Sequence, residues 1–191
     1  MTATWLRSKP AIWLLTGVLL ACAWGVSKIT LPEDAASAPF PTAAQLGELA
    51  TARDLEVTID EVRAAKRVTD STGWSAEGTW LVVDLEASAV LSQGSVLGLH
   101  DLVIGERTFT ATERGTTFRG QALIPGVPRE GSLAFELPAD ALHGQATLRL
   151  GAPSGPRLDA PLDGIIELRL DLDRVTRHDE ITLRENGWAR R

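Results

Sequence analysis

Leu81-Val82-Val83-Asp84-Leu85-Glu86-Ala87-Ser88-Ala89 alternates with period two. Leu81, Val83, Leu85, Ala87 and Ala89 fall on one face of an extended chain, and Val82, Asp84, Glu86 and Ser88 fall on the other. A strand patterned this way buries one face and wets the other, as antiparallel sheets do. The same pattern recurs on both sides of it. Leu55, Val57 and Ile59 alternate with Glu56, Thr58 and Asp60; Leu133, Phe135 and Leu137 alternate with Ala134 and Glu136. Leu148 and Leu150 flank Arg149, and Ile166, Leu168, Leu170 and Leu172 alternate with Glu167, Arg169 and Asp171. Weaker strands fit at Leu102–Ile104, Arg107–Thr112 and Thr116–Leu123. Gly- and Pro-containing turns separate them, among them Arg114-Gly115, Pro125-Gly126 and Glu130-Gly131. About eight short strands with such turns predict an all-β antiparallel sandwich.

The chain before Arg53 reads differently. Ala11 to Val26 is 16 residues without a charge. As a helix it covers about 24 Å, and flanking Trp5, Trp13, Trp24 and Lys28 lengthen the usable span. One transmembrane helix over 11–31 is therefore expected. Arg7 and Lys9 precede it, while Glu33 and Asp34 follow Lys28. The positive-inside rule puts residues 1–10 in the cytoplasm and the body of the protein outside the cell membrane. Two other readings stay open. Ala21-Cys22-Ala23 and Ala36-Ser37-Ala38 have the small-x-small form of a signal-peptide cleavage site, and Leu19-Leu20-Ala21-Cys22 resembles a lipobox. Residues 32–52, rich in Ala and Pro, read as a spacer, with a short helical turn at Gln45–Ala52. The sandwich then occupies 53–173 and a basic tail 174–191.

Charge narrows the function classes. All 25 acidic residues lie beyond Val26, and the chain carries a net charge of −6. An acidic surface repels phosphate backbones, so nucleic acid is not an expected partner. Cys22, inside the apolar run, is the one cysteine, so the sandwich has no disulfide and no Cys-based metal site, and burial alone must stabilise it.

No residue pattern carries catalysis, a cofactor or a metal. His100, His143 and His178 read as exposed loop residues; His143 could meet Asp140 on a helical turn, but no third ligand stands at fixed spacing. Ser75 and Ser154 lack the strand-to-helix elbow a nucleophilic serine needs. The pairs Asp84 with Glu86 and Asp171 with Asp173 read as solvated strand faces. The aromatics offer more. Trp74 lies in a loop, and Trp80, at a strand start, points with Val82 away from the main core face. They are candidates for a partner-binding spot, or for a cap on the sandwich end. Trp188 is a third candidate, in a tail with five arginines against three acids that suits an anionic lipid, a partner or an added edge strand at Glu180–Glu185.

The order of segments resembles a known family. Gly78-Thr79-Trp80-Leu81-Val82-Val83-Asp84-Leu85 resembles the opening strand of extracytoplasmic immunoglobulin-like (telokin-like) domains of unknown function, found in membrane-anchored proteins and lipoproteins of Gram-positive and actinobacterial cells and similar to a secreted mycobacterial immunoprotective antigen. Leu102 to Phe109, Leu123-Ile124-Pro125-Gly126, Gly131 to Pro138 and Ala146 to Leu150 resemble its later segments. The resemblance spans roughly Arg53 to Asp173. It departs at Ser88–Leu99, where the family has Asn-Gly-type turns, and at Phe109, where it has Tyr. It implies an immunoglobulin-like sandwich at the envelope and no catalytic residues. The function expected is that of a non-enzymatic, membrane-anchored binding or accessory module of the envelope. The alternatives are a subunit of a larger envelope or transport complex, and a metal-dependent sugar-binding or hydrolytic envelope protein.

Overall fold

The computed structural model describes residues 9–29, 39–91, 94–154 and 162–189. The chain divides into two units, 1–38 and 39–191.

In the first unit, α1 spans Lys9–Ile29. From residue 12 to 24 its side chains are exposed all round, Trp13, Leu14, Leu20 and Trp24 among them. Among the described residues no helix is long and apolar enough to cross a membrane.

The second unit is a sandwich of two main sheets. The strands are β1 (Phe40–Ala43), β2 (Leu49–Thr51), β3 (Leu55–Thr69), β4 (Ser75–Ala89), β5 (Ser95–Val96), β6 (Leu99–Ile104), β7 (Arg107–Thr110), β8 (Ala122–Leu123), β9 (Arg129–Leu137), β10 (Gln145–Gly151), β11 (Gly164–Asp171), β12 (Thr176–Thr182) and β13 (Gly187–Trp188). One sheet has the order β1-β11-β10-β6-β7, the other β12-β3-β4-β9-β13, with β2 also on β3; β5 and β8 form a separate pair. Between the sheets Leu55, Val57, Leu81, Val83, Leu85, Leu133 and Phe135 meet Leu102, Leu148, Leu150, Ile166 and Leu168. Each such side chain contributes about 1.5–3 kcal/mol through burial.

The structure corrects the sequence reading in five places. The pairing is not wholly antiparallel: β1 runs parallel to β11, and β12 parallel to β3. Residues 40–51 are not spacer, because β1 and β2 close the edges of both sheets, and Leu49–Thr51 is strand rather than helical turn. Pro41 is tolerated in β1 because an edge strand need not donate on both sides. Of the strand read at Thr116–Leu123, only Ala122–Leu123 is extended; the rest is a loop.

Fourth, the outward face of β4 is not wet. Trp80 and Val82 are fully buried in a second cluster with Ala65, Val68, Ala134, Ile181 and Leu183. Asp84 is buried too, accepting hydrogen bonds from Arg63 and from the Ser132 hydroxyl. A buried carboxylate needs such partners, since an unpaired one costs several kcal/mol.

Fifth, the tail is a structural element. Its strand β12 pairs with Arg63–Thr69 of β3, and Ile181 and Leu183 lie over the β4 face. Arg184 fastens it further. The backbone N–H of Arg184 donates to the Ser132 hydroxyl at 2.8 Å, and its guanidinium donates to Asp60 at 2.5 Å. Asp60 occupies a register shift in the β3–β4 ladder, and a second shift lies between Ala65 and Arg67. These bulges change which residues of β3 face each core. Val62 and Ala64 serve the main core, while Ala65 and Val68 serve the second.

Candidate cleft beside His100

His100 is the second residue of β6, and the alternation Leu99, His100, Asp101, Leu102 puts its ring on the same inward face as Leu102. Only 6% of the residue is exposed. Its Nδ1 is buried without a hydrogen-bond partner. Leaving a buried polar atom unmatched costs about 1–3 kcal/mol. Burial pushes the imidazole pKa below its ordinary value; Arg119 pushes the same way, and the backbone carbonyl of His100, Asp101 and Glu113 oppose it. The ring is therefore neutral near pH 7, able to donate at one nitrogen and accept at the other.

His100 forms one wall of a cleft of 710 Å³. Residues of the loop 111–121 and Asn186 from the tail line it too. The loop is irregular but held at many points. Arg119 donates to the Ala111 carbonyl at 3.1 Å and pairs with Glu113 at 2.7 Å. The N–H groups of Thr112 and Phe118 donate to the carbonyls of Ala134 and Ser132 on β9. Asn186 Nδ2 donates to the Thr117 carbonyl at 2.8 Å.

Asp70 is the strongest tie. It sits at the β3–β4 turn and accepts five hydrogen bonds. They come from the Thr72 N–H and hydroxyl, the Trp74 N–H, and the Thr116 N–H and hydroxyl, at 2.7–3.0 Å. The Thr72 hydroxyl leads these donors in holding the Asp70 carboxyl well below the usual carboxylate range, against the opposing effect of burial. Beside it, Gly115 has φ +72° and lies against the Trp74 ring, so that a Cβ there would collide with the indole. Glycine is required on both counts.

Of the three tryptophans expected at a partner surface, Trp80 is enclosed. Its ring meets Trp74 edge to face, with centroids 6.2 Å apart, and the tail covers it. Trp74 is half-buried beneath the Arg114 guanidinium, 5.6 Å from the ring. Trp80 is thus part of the second core, and Trp74 packs against it. Trp188 remains 48% exposed, with the Arg129 guanidinium 4.7 Å over its face.

His143 is an exposed loop residue, and His178 is exposed on β12, but His100 is not the exposed loop residue expected. Its parity with Leu102 and Ile104 was the available signal. Among the described residues no group of three or more His, Cys, Asp or Glu could hold a metal ion. Asp171 and Asp173 serve turns, accepting from the N–H groups of Asp173 and Gly144.

No family model and no curated protein matches the chain. Among solved structures, a Bacillus subtilis protein assigned as a lipoprotein aligns over 68% of this chain at 14% identity, with a TM-score of 0.49; the chain spans 40% of that protein. An uncharacterized β-sandwich protein of Clostridium difficile aligns over 70% of this chain and 97% of its own, at 9% identity and a TM-score of 0.45. A Staphylococcus aureus protein assigned as a lipoprotein aligns over 72% and 97%, at 9% identity and a TM-score of 0.41. No ligand or activity is carried over from them.

Proposed function

We propose that the chain is a non-enzymatic binding or accessory module of the cell envelope. Residues 11–31 hold it in the membrane, with the N-terminus cytoplasmic and the sandwich outside, and the sandwich is a variant of the immunoglobulin-like (telokin-like) domains it resembles. The observation that carries this reading is α1. The run Ala11–Val26 carries no charge, and an apolar segment whose side chains are exposed is better solvated by lipid than by water. Arg7 and Lys9 before it favour a cytoplasmic N-terminus. The sandwich contributes a built polar cleft.

The test is fractionation of cells expressing the full chain. The protein is expected in the membrane pellet after an alkaline carbonate wash, and protease added to the outer face should remove the sandwich. Recovery mainly as a soluble form shortened past Val26 would overturn the reading.

Trp188 favours a second reading, that the module is a subunit of a larger envelope complex. Trp188 is half-exposed with Arg129 stacked on it, and Trp and Arg are among the residues enriched at interface hot spots. The native mass of the detergent-extracted protein should then exceed that of the single chain and fall with Trp188→Ala; a monomeric wild-type chain argues against it.

A further inference from the structure

The cleft beside His100 allows the binding-module reading to be made specific, and this inference rests on that reading. Its volume, 710 Å³, lies within the roughly 300–1,000 Å³ of pockets that take small organic ligands. Three features of its walls define the ligand chemistry.

The first is charge balance. Arg119 and Glu113 both line the cleft, and they neutralise each other at 2.7 Å. An anionic ligand would have to displace Glu113, and a cationic one Arg119. The second is the density of neutral hydrogen-bonding groups: the His100 imidazole, the Thr116 and Thr117 hydroxyls and the Gln121 carboxamide. The Thr116 and Thr117 hydroxyls donate to Asp70 and to the Thr112 carbonyl, and their oxygens keep lone pairs for a ligand hydroxyl. The third is His100 itself. It is more than nine-tenths buried, lines the cleft and leaves Nδ1 unmatched. A ligand hydroxyl can supply the missing partner when the ring turns about χ2.

We infer that this cleft binds a neutral polyhydroxylated ligand, a saccharide of one or two rings, with His100 and Gln121 among its hydrogen-bonding partners. The walls are already fixed by Asp70, Arg119 and Asn186, so little ordering is needed on binding.

The experiment uses the full chain in a zwitterionic detergent without a sugar headgroup. Cellobiose and di-N-acetylchitobiose are titrated calorimetrically, beside a uronic-acid disaccharide and inorganic phosphate. At least one neutral disaccharide should bind. Gln121→Ala and His100→Gln should each weaken it by about tenfold, the worth of one hydrogen bond. If His100→Gln fails to fold, Gln121→Ala carries the test. Three results would overturn the inference: no neutral disaccharide binding up to about 50 mM, tighter binding of phosphate or the uronic acid, or wild-type affinity in folded Gln121→Ala. Each leaves membrane attachment intact, so failure here is distinguishable from failure of the anchor.

Discussion

One carboxylate oxygen of Asp70 accepts both the backbone N–H and the hydroxyl of Thr116, at 2.8 and 2.9 Å, across 46 residues of sequence. The bond pair joins the β3–β4 hairpin to the loop that walls the cleft. It makes one short polar residue a direct tie between the hairpin and the loop.

A pH dependence follows from Asp70. Its folded pKa is depressed below the ordinary value of 3.8. The group therefore adds stability that is fully present above about pH 4 and is lost as pH falls toward the folded value. Asp70→Asn should lower the melting temperature at neutral pH and flatten the acid limb below about pH 4. Melting curves of the two proteins that stay parallel down to about pH 2 would show that Thr72, Trp74 and Thr116 do not hold the ionised form.

His100 acts in the same direction at higher pH. Burial, the largest cause, lowers its folded pKa below 6.5. The unfolded chain then takes up the proton first, so stability is full above about pH 6.5 and declines as pH falls from there. Arg119, Asp101 and Glu113 are the charges that act on the ring. His100→Asn should remove the part of the decline between about pH 6.5 and 5. An unchanged slope in that window would place the titration elsewhere.

The faces of β4 are expected to be equally intolerant of charge. Val82 and Val83 are both fully buried, in different cores. Val82→Asp and Val83→Asp should each cost several kcal/mol, because each puts a carboxylate into an apolar core. A Val82→Asp protein that melts within a few degrees of wild type would mean that the tail does not cover β4 in solution.

The tail supplies the matching prediction. Ile181→Ala or Leu183→Ala should cost about 2–4 kcal/mol, and deletion of 174–191 should abolish cooperative melting, since it uncovers Trp80 and Val82. A truncated chain with the wild-type melting temperature would contradict this packing.

These two predictions mark the limit of what local sequence pattern reveals. The inward face of β4 was legible, because Leu81, Val83 and Leu85 repeat with the period of the strand. The burial of Trp80 and Val82 was not, because their cover comes from a segment about a hundred residues away whose own strand reads Thr-Arg-His-Asp-Glu before Ile181. Two bulges in β3 shift its facing, and nothing in Asp60 or Lys66 announces a bulge. Strand β1 was hidden by Pro41 and by side chains that stay outside. The cleft was not read from the sequence: the parity of His100 with Leu102 could have placed it inward, but the loop beside it owes its course to Asp70, whose partner Thr116 lies 46 residues away.

Membrane residence of 11–31 is tested most directly through Cys22, the single cysteine. Cells expressing the chain are treated with a membrane-impermeant maleimide, before and after solubilisation in SDS. If the helix lies in the bilayer, Cys22 is shielded in intact cells and membranes and becomes reactive once the lipid is removed. Rapid labelling of Cys22 without detergent would contradict the account, because a helix exposed to water, as α1 would then be, is not held in the membrane.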